Sequence, residues 1–258
     1  MEFTPIPLAD KRFFNYIFLG ILADKKPVVA MFDTRGNTLI PEKLAKDLDL
    51  KFIDDKFIDE EKGFRRAILA SMKLGNLKLE EVPVLVCKDE VIDLGVDPVG
   101  NIFPADMVLG WNVISQFVFR GDLRKGKFEV QSSDFKKPSQ KQRLNQPVFN
   151  IVFNDKSYKA ALDTSRPLTI ISEKIAKDME VKNENVASTI KMLGLDKEEV
   201  VYESKFTFKI DDEEVKIPTT QVEKELNDKD IQVVFGADFL RLTSWSLYNP
   251  MGYVRARN

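Results

Sequence analysis

Two aspartates in matching surroundings are the residues of this chain best placed to do chemistry together. Asp33 ends the apolar run VVAMF at 28–32 and Asp163 ends YKAAL at 158–162; each is followed by a threonine, Thr34 and Thr164. Each segment then resumes with threonine and apolar residues, TLI at 38–40 and TII at 169–171. A carboxylate at the end of an apolar strand lies at the margin of a dry core, where its surroundings control its charge. If the two converge, like charges in close contact cannot both ionise, and one proton is shared. The pair then titrates as a unit. Such a pair can activate a water held between its members. One carboxylate takes the water's proton while the acidic partner polarises a substrate carbonyl, and a later proton transfer releases the amine. The neighbouring threonine hydroxyls can hydrogen-bond across the interface and hold the two loops in register.

Composition removes most competing chemistries. The 258 residues include no histidine and one cysteine, Cys87. There is therefore no imidazole base, no Ser-His-Asp or Cys-His arrangement and no HExxH zinc helix. A disulfide within the chain is impossible, and no metal or other cofactor is expected. Basic and acidic side chains nearly balance, 39 against 41, so the formal charge is −2 and no basic field invites a nucleic acid. The longest apolar stretch, FFNYIFLGILA at 13–23, is too short to cross a membrane. The preceding MEFTPIPLADKR lacks the pattern of a secretion signal, so a cytoplasmic location is the default expectation.

The elements that must position the aspartates occur twice. Each half opens on Phe-Asn, as FNYIFLGILA at 14–23 and FNIVF at 149–153. Each turns through ADKKP or NDKS and returns in the strand that ends on Asp-Thr. Nearly identical short helices follow, PEKLAKDLDL at 41–50 and SEKIAKDMEV at 172–181, with apolar residues at i and i+4 so that one side can lie on a sheet. Strands are expected at AILASMKL, LKLEEVPVLVC and DMVLGWNVI in the first half, and at ESKFTFKI, EEVKIPTTQV and IQVVFGADFL in the second. The last of each set carries a matching glycine, Gly110 in MVLG and Gly236 in VVFG. This is an internal duplication, and two copies imply two lobes related by an approximate two-fold axis. The lobes are expected at 1–131 and 147–258, joined by a polar linker at 132–146.

Asp-Thr, a turn, Thr-apolar-Ile, a helix and a later apolar-apolar-Gly strand resemble the pattern of aspartic peptidases of the pepsin and retropepsin type. LDTSRPLTIISEKIAKDM and VVFGADFL carry the resemblance most clearly. It implies a mainly β fold of two retropepsin-like barrel lobes, each with a short helix, fused in one chain so that a monomer suffices. It implies that Asp33 and Asp163 are the catalytic pair, that Thr34 and Thr164 interlock beneath them, and that Gly110 and Gly236 pack beside the active-site loops. The implied substrate is an extended peptide or protein segment in a cleft between lobes. Where the family has glycine after Asp-Thr, this chain has Arg35 and Ser165; that glycine helps the loop turn and offers its N–H to the carboxylate. Gly36 can take up the turn one place later. Arg35 can ion-pair with a carboxylate, and Arg166 adds a second cation, so Arg35, Ser165 and Arg166 are candidate modulators. Flap hairpins over the cleft are expected near 55–68 and 184–200, with Gly63 or Gly194 at a tip. The alternative reading is a catalytically silent scaffold or peptide-binding protein, which an Arg35 salt bridge filling the space between the aspartates would favour.

Overall fold

A computed structural model describes the chain except residues 1, 10–15, 97–99, 133–145, 180–185, 192–197, 225 and 227. Nearly all of the expected linker and the possible second flap tip at Gly194 lie outside the described residues. The first half contains β1 (Thr4–Pro5), β2 (Phe18–Ala23), β3 (Lys26–Phe32), β4 (Leu39–Pro41), α1 (Glu42–Asp47), β5 (Lys51–Asp59), β6 (Phe64–Leu74), β7 (Leu77–Cys87), β8 (Met107–Leu109), α2 (Trp111–Ile114), β9 (Phe117–Asp122) and β10 (Lys127–Ser132). The second contains β11 (Val148–Phe153), β12 (Lys156–Leu162), β13 (Ile170–Ser172), α3 (Glu173–Asp178), β14 (Val186–Lys191), β15 (Glu198–Ile210), β16 (Glu213–Glu223), β17 (Ile231–Phe235), α4 (Ala237–Leu242), β18 (Ser244–Tyr248) and β19 (Tyr253–Arg257).

The duplication reappears as identical strand order. The first half forms a sheet β2-β3-β8-β4-β7-β6-β5 that closes through β2–β6 pairing; the second forms β11-β12-β17-β13-β16-β15-β14 and closes through β11–β15. Each closed ring has six strands, so the protein is mainly β, built as two barrels. In both, the short strand after the Asp-Thr loop runs parallel to one neighbour and antiparallel to the other: β4 against β7 and β8, β13 against β16 and β17. That placement brings the Asp-Thr loop against the glycine that ends the β8 or β17 strand.

Local chemistry explains the repeated turns. Asp24 and Lys25 join β2 to β3 with φ of 48° and 71°, and Asn154 and Asp155 join β11 to β12 with 48° and 57°. Two successive left-handed residues match the right-handed twist of a hairpin, and Asn and Asp tolerate them best. Alternation then buries one side, as in β11, where Phe149, Ile151 and Phe153 point inward. The helices differ at their starts: the Ser172 hydroxyl accepts from the Ile175 N–H, whereas Pro41 caps α1 with no side-chain bond. Both bury an apolar pair, Leu44 with Ala45 and Ile175 with Ala176.

A third sheet, β1-β10-β9-β18-β19, takes strands from both halves. Its central pairing joins β9 to β18, with Asp122 opposite Ser244 and Val118 opposite Tyr248. Phe32, Phe119 and Phe128 pack edge-on in the first half, and Phe128 meets Trp245 of the second at 5.2 Å between ring centres. The apolar core therefore runs without interruption through both halves. Gly121 permits this closeness, because a Cβ there would come within 2.6 Å of the Trp245 ring.

Two expectations change in detail. DMVLGWNVI and IQVVFGADFL are strands only as far as Leu109 and Phe235; after Gly110 and Gly236 the chain turns into α2 and α4. In the 55–68 window, β5 and β6 do form a hairpin, and Gly63 sits in its turn at φ +69°. That turn is fastened to the barrel, since the Lys88 N–H donates to the Lys62 carbonyl at 3.0 Å. In the 184–200 window, β14 pairs with β15 at the corresponding edge of the second sheet.

Candidate active site

Both aspartates sit at equivalent strand ends. The Asp33 N–H donates to the Leu109 carbonyl at 3.0 Å, and the Asp163 N–H donates to the Phe235 carbonyl at 2.8 Å. Each loop therefore continues the pairing of its strand with the closing strand of the same barrel, β3 with β8 and β12 with β17.

The threonines tie the loops together. The Thr34 hydroxyl donates to the Leu162 carbonyl at 2.8 Å and accepts from the Thr164 N–H at 3.1 Å. Reciprocally, the Thr164 hydroxyl donates to the Phe32 carbonyl at 2.7 Å and accepts from the Thr34 N–H at 3.0 Å. All four bonds cross between the halves, and both threonines are fully buried. This is the interlock the paired Asp-Thr sequences suggested.

Behind each loop a second layer holds it. The Thr38 hydroxyl accepts from the Gly110 N–H and donates to Asn112 Oδ1, which also accepts from the Thr38 N–H. In the second half Thr169 bonds Asp238 through its N–H and its hydroxyl, each at 2.9 Å. Burial pushes the Asp238 carboxyl up to about 6, although Thr169 and the Phe239 N–H oppose the shift by donating to it. Gly110 and Gly236 are glycines because the loops press on them. A Cβ would lie 2.2 Å from the Asn37 carbonyl carbon in the first case and 2.6 Å from that of Leu168 in the second. Thr38 and Thr169 were visible in sequence only as the recurring threonine that restarts each segment; their supporting role emerges from the fold.

The residues that replace the expected glycines still supply the expected donors. The Arg35 N–H donates to Asp33 Oδ1 at 2.8 Å and the Ser165 N–H to Asp163 Oδ1 at 3.2 Å. Gly36 takes the left-handed turn at φ +81°, one place after Arg35, and its carbonyl accepts from the Trp111 N–H. Ser165 adds its hydroxyl, which donates to Asp163 Oδ1 at 2.5 Å.

The two carboxylates differ in surroundings. Asp33 is pushed up to about 7 by burial first and then by the negative charge of Asp163, against the smaller opposing pull of the Arg35 N–H and guanidinium. Asp163 is 1% exposed, and its Oδ2 faces two guanidiniums: Arg35 Nη1 at 3.1 Å and Arg166 Nε at 3.6 Å. Arg166 also reaches Glu223 Oε1 at 3.4 Å, a partner that nothing in the local sequence marks. The arrangement thus sets a carboxyl that favours its proton beside one whose Oδ2 faces two guanidiniums. Among the described residues no cluster of His, Cys, Asp and Glu is arranged to hold a metal ion.

Two surface cavities lie elsewhere. One of about 450 Å³ is bordered by the β2–β3 hairpin and Lys73, and one of about 720 Å³ lies over the sheet shared by the halves; neither is lined by Asp33 or Asp163. No helix among the described residues is long and apolar enough to cross a membrane. No family model and no curated protein sequence matches this chain.

Proposed function

We propose that the chain is a retropepsin-like aspartic endopeptidase with both halves of the active site fused in one polypeptide. The observation that carries this reading is the unequal pair: Asp33 and Asp163 stand on symmetric loops locked by Thr34 and Thr164, and the charge of one raises the proton affinity of the other. An extended peptide would lie between the lobes, held by strand-like main-chain hydrogen bonds with pockets for alternate side chains. Asp163 takes a proton from water as the water oxygen attacks the scissile carbonyl carbon, and Asp33 gives its proton to the carbonyl oxygen. Asp33 then recovers a proton from one hydroxyl of the tetrahedral diol while Asp163 protonates the amide nitrogen. The C–N bond breaks, leaving a carboxylic acid and an amine. The buried, single Cys87 and the lack of disulfides accord with work in a reducing cytoplasm.

The test is cleavage of a peptide mixture in ¹⁸O-labelled water. The label confirms hydrolysis by entering every new C-terminal carboxyl, and the intact mass of the enzyme during turnover, which should show no covalent adduct, distinguishes direct attack by water. Activity falls as pH rises through about 7 and Asp33 loses its proton. A trapped acyl-enzyme, or cleavage that rises steadily above that pH, would contradict the mechanism.

A second reading has its own observation. Arg35 occupies Asp163 Oδ2, where an activated water would have to bond, and this favours a peptide-binding scaffold that no longer cleaves. The Arg35 side chain is 43% exposed, so the obstruction is a movable side chain rather than a filled core.

A further inference from the structure

Two arginines from different halves meet on one carboxylate oxygen. Arg35 lies on the first Asp-Thr loop and Arg166 on the second, yet both direct a guanidinium nitrogen at Asp163 Oδ2. The other oxygen, Oδ1, is already held by the Ser165 N–H and hydroxyl. The two cations are unequally committed. Arg166 is 22% exposed and shares its charge between Asp163 and Glu223. Arg35 makes a single side-chain hydrogen bond, through Nη1, while a guanidinium carries five N–H donors in a fixed fork. Its remaining donors have no protein partner among the described residues, and they lie on a half-exposed side chain beside the dyad.

A fork of this kind binds a planar carboxylate through two parallel hydrogen bonds, and so more strongly than it binds one oxygen of Asp163. An arriving peptide must deal with Arg35 before it can reach Asp163. A neutral peptide leaves Arg35 on Oδ2 or strips it away with no replacement. A peptide with a carboxylate of its own exchanges one pairing for a better one, and in the same step leaves Oδ2 facing Arg166 alone, at 3.6 Å. We propose that Arg35, backed by Arg166, recognises an acidic side chain, Asp or Glu, beside the peptide bond presented to Asp163, so that acidic segments are the preferred ligands of this site. The inference rests on the reading of the interlobe space as a peptide site, but it does not require that the bound peptide be cut.

The test measures binding and cleavage separately. Two fluorescent peptide libraries, identical except for a fixed central Glu or Gln, are titrated by anisotropy against wild type, D33N, R35M and R35K, and each mixture is also assayed for cleavage. Wild type and D33N should bind the Glu library about tenfold more tightly, R35M should fall below about twofold preference, and R35K should retain part of it. The wild-type preference should also shrink as salt rises from about 50 mM to about 500 mM, a readout that needs no variant to fold. Equal affinity for the two libraries in wild type, no measurable binding of either, or a preference that survives in folded R35M overturns the inference. If the Glu preference depends on Arg35 and no protein cuts any peptide, the acidic-ligand site stands and the peptidase reading fails. If wild type cuts both libraries without discrimination, the reverse holds.

Discussion

Replacing Thr34 by valine is the sharpest probe of the joint between the halves. The substitution keeps the β-branched shape and removes one hydroxyl that is fully buried. Two groups of the opposite half lose their partner, the Leu162 carbonyl at 2.8 Å and the Thr164 N–H at 3.1 Å. A buried polar group left without a partner costs about 1–3 kcal/mol, so T34V should lose roughly 2–6 kcal/mol. T34S keeps the hydroxyl and forfeits one methyl, a loss of about 1 kcal/mol. The T34V/T164V pair removes all four crossing bonds, and its loss should differ from the sum of the single losses because each residue's hydroxyl bonds the other's N–H directly. Equilibrium urea unfolding followed by tryptophan emission reads this directly, since Trp245 is buried where the halves join. A T34V protein within about 0.5 kcal/mol of wild type would refute the claim that the interlock holds the halves in register.

Further outcomes follow from the same geometry. Asp33 titrates near 7 when folded and near the ordinary carboxylate value when unfolded. Its burial therefore costs nothing below about pH 4 and costs progressively more up to about pH 7. D33N should accordingly be more stable than wild type at pH 8, by up to roughly 4 kcal/mol, with the difference gone at pH 3 in urea titrations. Asp122 behaves oppositely, because hydrogen bonds from Arg124, then Ser244 and Lys125, hold its carboxyl below the usual range. D122N should destabilise by about 2 kcal/mol near neutrality, and the deficit should shrink as pH falls below about 4, where the carboxyl of the unfolded chain takes up its proton before that of the folded one; thermal melts across pH resolve it. G110A drives a methyl into the Asn37 backbone and should cost about 3 kcal/mol in urea unfolding, more than alanine at the exposed Gly36.

Much of this was legible because a duplicated sequence marks its own equivalent positions. Asp33 and Asp163, the threonines beside them and the glycines of MVLG and VVFG could be paired by comparison within one chain, and pairing by symmetry predicts contact between halves. The hairpin turns were legible for a local reason, since Asp and Asn tolerate left-handed backbone. The shared sheet was not. β9 and β18 carry no sign of each other, because their pairing joins residues more than a hundred positions apart through main-chain bonds that any side chain allows. The ends of the MVLG and VVFG strands were misjudged for a related reason: apolar runs look alike whether they continue as strand or turn into buried helix. Arg35 was recognisable as an intruder in the motif, but its choice of Asp163 over the adjacent Asp33 depends on the other half being folded against it. Glu223 lies far from either motif, and only the return of β16 beside β13 brings it to Arg166.

The central claim, that the two aspartates act as one catalytic unit, is tested most directly by cleavage of a diverse peptide mixture between about pH 3 and pH 8. Wild type, D33N and D163N are compared after each is shown to be folded. The account predicts cleavage by wild type that is lost in both variants, since either half of the pair is useless alone. Cleavage that persists in either variant, or no cleavage by folded wild type and by folded R35M alike, would contradict it.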